Sequence, residues 1–483
     1  MRLAVPRAGL LCALVATLGA AAWSLILPPF QVPDEIAHYA YVEYVVQARR
    51  LPPEGPPEPF RLDLSADLRA VYRAVQAEEV AGKPENKGVW SPLEQQALER
   101  HEHTDADRDA AGYSYSATPQ PPLYYLLESV PYVAASRGTA LQRLALMRLV
   151  SALLAGVTAL CTFLFLREAL PAAPIAWSVG ALGVALQPMF LSASSGVNPD
   201  ALLFAASAAL FACMARVMRR GLDRPRALAL GAAVAVGCLG KLTFVGLLPG
   251  VCLGLLLALR RTDPRRRPLR LLALALGVAA LPVAAGMALN VLWDRPAVGL
   301  VSNNAGALAG VSLGDRLSYV WQFYLPPLPG MTRLLTYDAS GEWLHDFVGA
   351  FGIFDTRFGP GVTRTATIVL AAIGLLALAG LWRARGALRT RAPELAVYAT
   401  MALGLLTLVA LQSLALDRLF GGSGSAAQLR YLLPLLPLYG ALLALAARAA
   451  GRRRAAVVGT AIVLLAVAHA VFGQLLAISR YYA

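Results

Sequence analysis

The sequence predicts an all-α polytopic membrane protein, about eleven transmembrane helices with two large external loops forming a small soluble layer. Composition gives the first reason: 57% of the 483 residues are hydrophobic and 15% charged, with a mean hydropathy of +0.57. The second is length, since the apolar runs reach the roughly 17 to 25 residues that a bilayer requires. The third is charge placement, because arginines gather between alternate runs, as they do on the cytoplasmic side of membrane proteins.

The first run, Ala8 to Leu27, follows Arg2 and Arg7 and ends in Trp23-Ser24-Leu25-Ile26-Leu27-Pro28-Pro29. It is long for a cleavable signal and lacks a small-x-small exit, so it is expected to remain as a span. Further spans are expected at Leu144 to Leu166, Ala173 to Ser192, Pro199 to Met218, Ala227 to Leu259, Leu269 to Val291, Thr365 to Trp382, Leu395 to Leu416, Tyr431 to Ala447 and Ala455 to Leu476. Ala227 to Leu259 is too long for one crossing, and arginines flank it on both sides. Both flanks are cytoplasmic only if the segment is a hairpin folding back at Gly240-Lys241.

The same rule puts the N-terminus inside, the C-terminus outside and the two long polar stretches outside. The chain then divides into a first helix (1–27), a first external loop with an acidic motif and an interfacial helix (28–143), and a transmembrane bundle (144–292). A second large loop (293–364) and the C-terminal helices (365–483) complete it. The net charge of +14 reports this topology, and no basic soluble surface interleaved with aromatics points to nucleic acid. All five cysteines (Cys12, Cys161, Cys213, Cys238, Cys252) lie in apolar runs, which argues against a disulfide framework or a thiolate metal site and suits small packing residues.

Polar residues in unexpected places carry the functional reading. Pro33-Asp34-Glu35-Ile36-Ala37-His38 puts two acids and a histidine where the first span ends. With Pro33 in the first turn of a helix, Asp34 and His38 stand one turn apart with Glu35 beside them. The modest alternative is that the acids only complement the helix N-terminus, worth about 0.3 to 1 kcal/mol each. Arg148, Lys241 and Arg430 all map to the outer half of the membrane. The hairpin arm Ala227 to Leu239 would rise only about 20 Å, so Lys241 is expected below the outer surface. A cation there needs an anion or a wet cavity, and a lipid-borne phosphate would satisfy all three.

Leu123 to Ala135 is expected to lie along the interface with its tyrosines at headgroup depth. Trp321-Gln322-Phe323-Tyr324 and Trp343 to Asp355 suit a surface near a sugar or headgroup, although anchoring is the commoner use of such aromatics. His101-Glu102-His103 with Asp105, Asp107 and Asp109 is read as a solvated loop rather than a metal site.

Six short motifs carry a resemblance that spans nearly the whole chain: Pro33-Asp34-Glu35 with His38, Gln120-Pro121-Pro122-Leu123-Tyr124-Tyr125, Asn198-Pro199-Asp200, Gly240-Lys241, Phe351-Gly352-Ile353-Phe354-Asp355 and Leu429-Arg430-Tyr431-Leu432-Leu433-Pro434. Their order resembles the bacterial membrane family catalogued as domain of unknown function 2142, which is similar to the GT-C superfamily of integral-membrane glycosyltransferases. The resemblance implies a sugar donor on polyprenyl phosphate, an unknown glycan, lipid or protein acceptor outside the cytoplasm, and an acid in the first external loop. Asp34 matches that acid, with Glu35 and His38 adjacent. Gln120 stands where many relatives have histidine, and Leu429 where the pattern has glycine.

The chemistry of such a transfer needs a base for the acceptor hydroxyl and cations for the departing phosphate. Asp34, Glu35 and His38 are the catalytic candidates. Lys241, Arg148 and Arg430 are expected on the phosphate, and Tyr431, Gln120, Tyr124, Asn198, Asp200 and Asp355 are further substrate-binding candidates. No metal is assigned; if a divalent ion binds, Asp34 and Glu35 are its candidate ligands, and hard oxygens suit Mg or Mn. The expected setting is the plasma membrane, among membrane lipids, with the site on the external face. Two rivals remain: a transporter or flippase for envelope glycan precursors, whose polar residues would gather near the midplane, and a non-catalytic envelope scaffold.

Overall fold

The computed structural model describes residues 6–54, 62–103, 117–261, 267–298, 304–335, 339–421 and 428–483. Among these, nine helices are long and apolar enough to cross a membrane: Arg7–Ile26, Ala140–Ala169, Asp200–Arg220, Leu242–Arg261, Pro268–Leu292, Pro360–Arg383, Ala392–Phe420, Leu429–Ala449 and the C-terminal Gly451–Tyr482. The chain is therefore an all-α polytopic membrane protein. The other two expected spans are shorter. Arg224–Gly240 has 17 residues, a rise of about 25 Å. The run expected at Ala173 to Ser192 breaks into Pro174–Ala185 and Pro188–Ala193, because Pro188 cannot continue a helix and the Gln187 side chain accepts the Phe190 N–H to start a new one.

Ala140–Ala169 is the central post. A capping box of Thr139 and Gln142 starts it, and it packs against Arg7–Ile26 on one side and Asp200–Arg220 on the other. Where helices touch most closely the residues are small: a Cβ on Gly180 would collide with the Gly440 carbonyl, and one on Gly404 with the Gly246 carbonyl. Lipid supplies no hydrophobic force between helices, so close backbone approach takes its place.

One end of the bundle collects cations. Glu168 meets Arg220 at 2.7 Å and Arg216 at 3.5 Å, Glu394 meets Arg391 at 2.9 Å, and Arg383 donates to the Ala449 carbonyl. Asp200–Arg220 runs from that end to the other over 21 residues, about 30 Å, the thickness of a bilayer core.

The far end carries the polar layer. From the first long stretch it takes Glu35–Ala48, Ala66–Ala74, Ala77–Val80, Pro92–His103 and Leu123–Ala134, and from the second Leu313–Tyr324, Ala339–Gly349 and a two-residue antiparallel ribbon pairing Ala350 with Arg357 and Phe351 with Thr356. Arg480 of the last helix ties the two stretches together, donating to the Val80 and Lys83 carbonyls and to Asp355. Two expectations change here. Tyr124, Tyr125 and Tyr132 are buried inside the protein rather than presented on its surface as anchors, because their hydroxyls bond Ser151, His38 and Glu43, while Leu126, Leu127, Val130 and Val133 form the exposed face. Phe323, Tyr324 and Trp343 pack on one another, and Tyr324 bonds the Leu406 carbonyl, so these aromatics dock the second loop onto the bundle. The His101 to Asp109 stretch lies outside the described side chains.

Candidate functional site

The chain leaves the first span through a bend that two residues make with left-handed backbone, Phe30 (φ 63°) and Asp34 (φ 61°). Such a φ is uncommon outside glycine, asparagine and aspartate, so strong restraints must hold the bend. Glu35 supplies them. Its fully buried carboxylate accepts from Arg148 Nε at 2.8 Å and Nη2 at 2.6 Å, and from the backbone N–H of Phe30 and Val197. Arg148 in turn donates to the carbonyls of Ser24, Leu27 and Pro28. Asn198 adds a bond to the Pro33 carbonyl and accepts the Asp200 N–H.

The helix begins at Glu35, with Asp34 as its N-cap and Pro33 outside it, two positions after the expected proline start. Asp34 and His38 still stand one turn apart, joined by the His38 N–H to the Asp34 carbonyl. The two adjacent acids, however, point to different places. Glu35 is locked in the interior, while the Asp34 side chain, 34% exposed, reaches Arg430 Nη2 at 2.6 Å.

Arg430 lies on a 3-10 turn, Leu429–Leu435, that leads into the following helix. Lys241 sits in extended backbone between Arg224–Gly240 and the 3-10 turn Leu242–Leu247. Asp200, the first residue of its helix, joins the two cations: Lys241 Nζ is 2.7 Å from Oδ1, and Arg430 Nη1 is 3.8 Å from Oδ2. The buried cluster thus holds two carboxylates and two cations, with the Tyr431 ring under both cations and Phe354 over Arg430. Arg430 Nε and Nη1 and Asp200 Oδ2 make no hydrogen bond among the described residues. They border a cavity of about 10 Å³ lined also by Val32, Ser192, Asn198, Gly352 and Phe354, room for about one water.

Burial works to raise the Asp34 carboxyl, but Arg430 foremost, then His38 and Lys241, outweigh it and hold the group below the ordinary carboxylate range. His38 is pulled down to about 3, first by burial and then by Lys241 and Arg430, so it is neutral at pH 7. Its Nδ1 is 3.0 Å from the Tyr125 hydroxyl, which also bonds the Ala117 carbonyl and stacks under Tyr41.

The other expected residues lie apart from this cluster. Tyr124 bonds Ser151, which donates to Glu128. Asp355 is held by Arg480 at 3.1 Å. The Gln120 side-chain oxygen makes no hydrogen bond among the described residues. Arg148, expected on a phosphate, has every nitrogen engaged by Glu35 and backbone carbonyls. Both Glu35 oxygens are engaged as well, so Asp34 and Glu35 do not fit as paired ligands of a divalent ion, and no three His, Cys, Asp or Glu side chains converge among the described residues. Two residues near the cluster, Phe354 and Tyr125, stand in the sequence motifs but were not among the expected site residues. Phe354 has φ 60° beside Gly352 at 61°, and a glycine two residues before an aromatic in a loop was the available signal. Tyr125 was overshadowed by its neighbour Tyr124.

A family profile matches residues 18–439, which span every residue of this cluster. The chain belongs to the family described as predicted membrane protein (DUF2142). No curated protein and no solved structure matches it. For this DUF2142 chain, any reaction has to be argued from the cluster itself.

Proposed function

We propose that the protein is an integral-membrane glycosyltransferase of GT-C type, moving a hexosyl or pentosyl group from a polyprenyl-phosphate donor to an acceptor in envelope glycan or glycoprotein assembly. The observation that carries this reading is the half-buried Asp34 carboxylate standing 2.6 Å from buried Arg430, with Lys241 behind it through Asp200. A base beside cations suits an acceptor hydroxyl that must lose a proton as a phosphate departs.

In this reading the acceptor oxygen attacks the anomeric carbon in line, with inversion. Its proton passes to Asp34, the bond from the anomeric carbon to the phosphate oxygen breaks, and polyprenyl phosphate leaves with the electron pair against Arg430 and Lys241. Glu35 and Arg148 act as positioning residues that fix the bend carrying Asp34. Neutral His38, oriented by Tyr125, lines the approach to Asp34, and the Tyr431 ring backs both cations. The polar layer lies at the end of the bundle away from the arginines, which by the positive-inside rule makes it the external face of the plasma membrane. A flippase would want its ionisable groups near the midplane, and a scaffold has no use for a half-buried acid against buried cations.

The test is incubation of the protein in nanodiscs with a panel of polyprenyl-phosphate sugars and an envelope extract as acceptor, following release of polyprenyl phosphate. Release is expected from the wild type and a drop of roughly 10²- to 10⁴-fold from Asp34→Asn. Release that survives Asp34→Asn, or none from any donor, would overturn the proposal.

A further inference from the structure

The charges of the cluster raise a question the proposed reaction leaves open. Asp34, Asp200, Lys241 and Arg430 sum to zero, so an arriving phosphate has no net positive seat. Asp200 is 1% exposed and held by Lys241 at 2.7 Å, which makes it the fixed acid. Asp34 is the one of the two acids that reaches solvent.

Three features make Asp34 displaceable. Its side chain makes no capping bond to the helix it precedes, so swinging it away leaves the helix start intact. The residues on either side are held independently, Pro33 through its carbonyl by Asn198 and Glu35 through its side chain by Arg148, so the Asp34 side chain can rotate without moving the loop. And it engages a single prong of the guanidinium, Nη2, which also donates to the Tyr431 hydroxyl, while Nε and Nη1 make no hydrogen bond among the described residues. A phosphate offers several acceptor oxygens and can bridge two prongs, the stronger geometry.

We infer that Asp34 occupies the anion seat of Arg430 as an internal competitor, so that a phosphate must displace it, and that this exchange delivers Asp34 as a base only when the phosphate is seated. The inference rests on the reading of Arg430 as the phosphate partner. It makes binding ordered, donor before acceptor, and it makes the cluster self-inhibited. It also couples anion binding to protonation. Asp34 faces Arg430, Lys241 and His38, with Asp200, Tyr125 and Tyr431 behind them. Protonating Asp34 releases Arg430, so the wild type's anion affinity relative to Asp34→Asn, in which the probe's own titration cancels, is expected to rise as pH falls through and below the ordinary carboxylate range.

The experiment measures equilibrium binding of two probes, inorganic phosphate and a polyprenyl phosphate, to the full chain in nanodiscs. It compares wild type, Asp34→Asn, Asp34→Ala and the double variant Asp34→Asn/Arg430→Ala, each shown monodisperse by size-exclusion chromatography. If the seat is open about a tenth of the time, removing the competitor tightens binding about tenfold. Asp34→Asn and Asp34→Ala are expected to bind more tightly than wild type at neutral pH and with no rise on acidification, wild type to approach them at low pH, and the double variant to lose the gain. Tighter binding of both probes assigns the seat to the headgroup alone; tighter binding of the polyprenyl probe only assigns it to a lipid-borne phosphate. Equal or weaker binding by both single variants overturns the inference. Exchange without any sugar transfer would keep the seat and sink the transferase reading, and Asp34-dependent transfer without exchange would do the reverse.

Discussion

Adjacent in sequence, Asp34 and Glu35 have opposite surroundings, and that difference decides what each can do. Glu35 has no access to solvent and four hydrogen-bond donors, so its carboxylate is a structural pin. Removing one partner of such a pair leaves a buried charge uncompensated, a loss of about 3 to 5 kcal/mol. Glu35→Ala and Arg148→Ala are therefore each expected to lower the melting temperature sharply, read from thermal unfolding of the purified protein. The pair Glu35→Leu/Arg148→Met is expected to recover only part of that loss, because the N–H groups of Phe30 and Val197 and the carbonyls of Ser24, Leu27 and Pro28 lose their partners. Asp34→Asn, whose amide oxygen can still accept from Arg430, is expected to lose less than either single variant; an equal loss would contradict the division of roles. The acids, His38, Lys241 and Arg430 were legible in the sequence, because ionisable groups at the ends of spans need partners. Who pairs with whom was not. Glu35 and Arg148 lie 113 positions apart, and Asp34 and Arg430 396 apart, and no local pattern encodes a contact at that separation.

Among the elements, the hairpin was legible and the broken span was not, for physical reasons that differ. Arginines on both flanks of Ala227 to Leu259 force two crossings, and the chain does fold back at Gly240-Lys241. The break at Gln187-Pro188 left no charge signal, and an apolar run of the right length hid it. Helix-to-helix contacts were equally hidden, since glycine in an apolar run looks the same whether it faces lipid or another backbone. Gly404 faces the Gly246 carbonyl, and Gly246 itself leaves a Cβ only 2.8 Å from the Leu405 Cα. Gly404→Ala is thus expected to push the Ala392–Phe420 helix off the Leu242–Leu247 turn and destabilise the protein by about 1 to 3 kcal/mol, the usual range for overpacking. Gly374→Ala, where a Cβ meets nothing within 4 Å, is expected to be neutral or slightly stabilising through helix propensity. Matching melting temperatures for the two variants would count against close packing at Gly404.

On the scale of the whole molecule the two ends of the bundle differ in kind, and the difference assigns them to opposite sides of the membrane. Arg216, Arg219, Arg220, Arg383 and Arg391 sit at one end with Glu168 and Glu394. Asp34, Asp200, Lys241 and Arg430 sit at the other, beneath the helices of the two long stretches. Membrane insertion keeps short arginine-rich loops in the cytoplasm, so the proposed reading, with the Asp34 cluster meeting its substrates outside, requires the arginine end to face the cytoplasm. Single cysteines test this directly. Gly88, exposed in the polar layer, and Arg389, exposed between Pro360–Arg383 and Ala392–Phe420, stand at opposite ends. In intact cells a membrane-impermeant maleimide is expected to label Gly88→Cys and leave Arg389→Cys untouched, with Arg389→Cys reacting only after the membrane is opened. The five native cysteines, all in apolar helices, serve as the background control. Labelling of Arg389→Cys but not Gly88→Cys in intact cells would turn the protein over, place the Asp34 cluster at the cytoplasmic surface, and rule out an external acceptor for it.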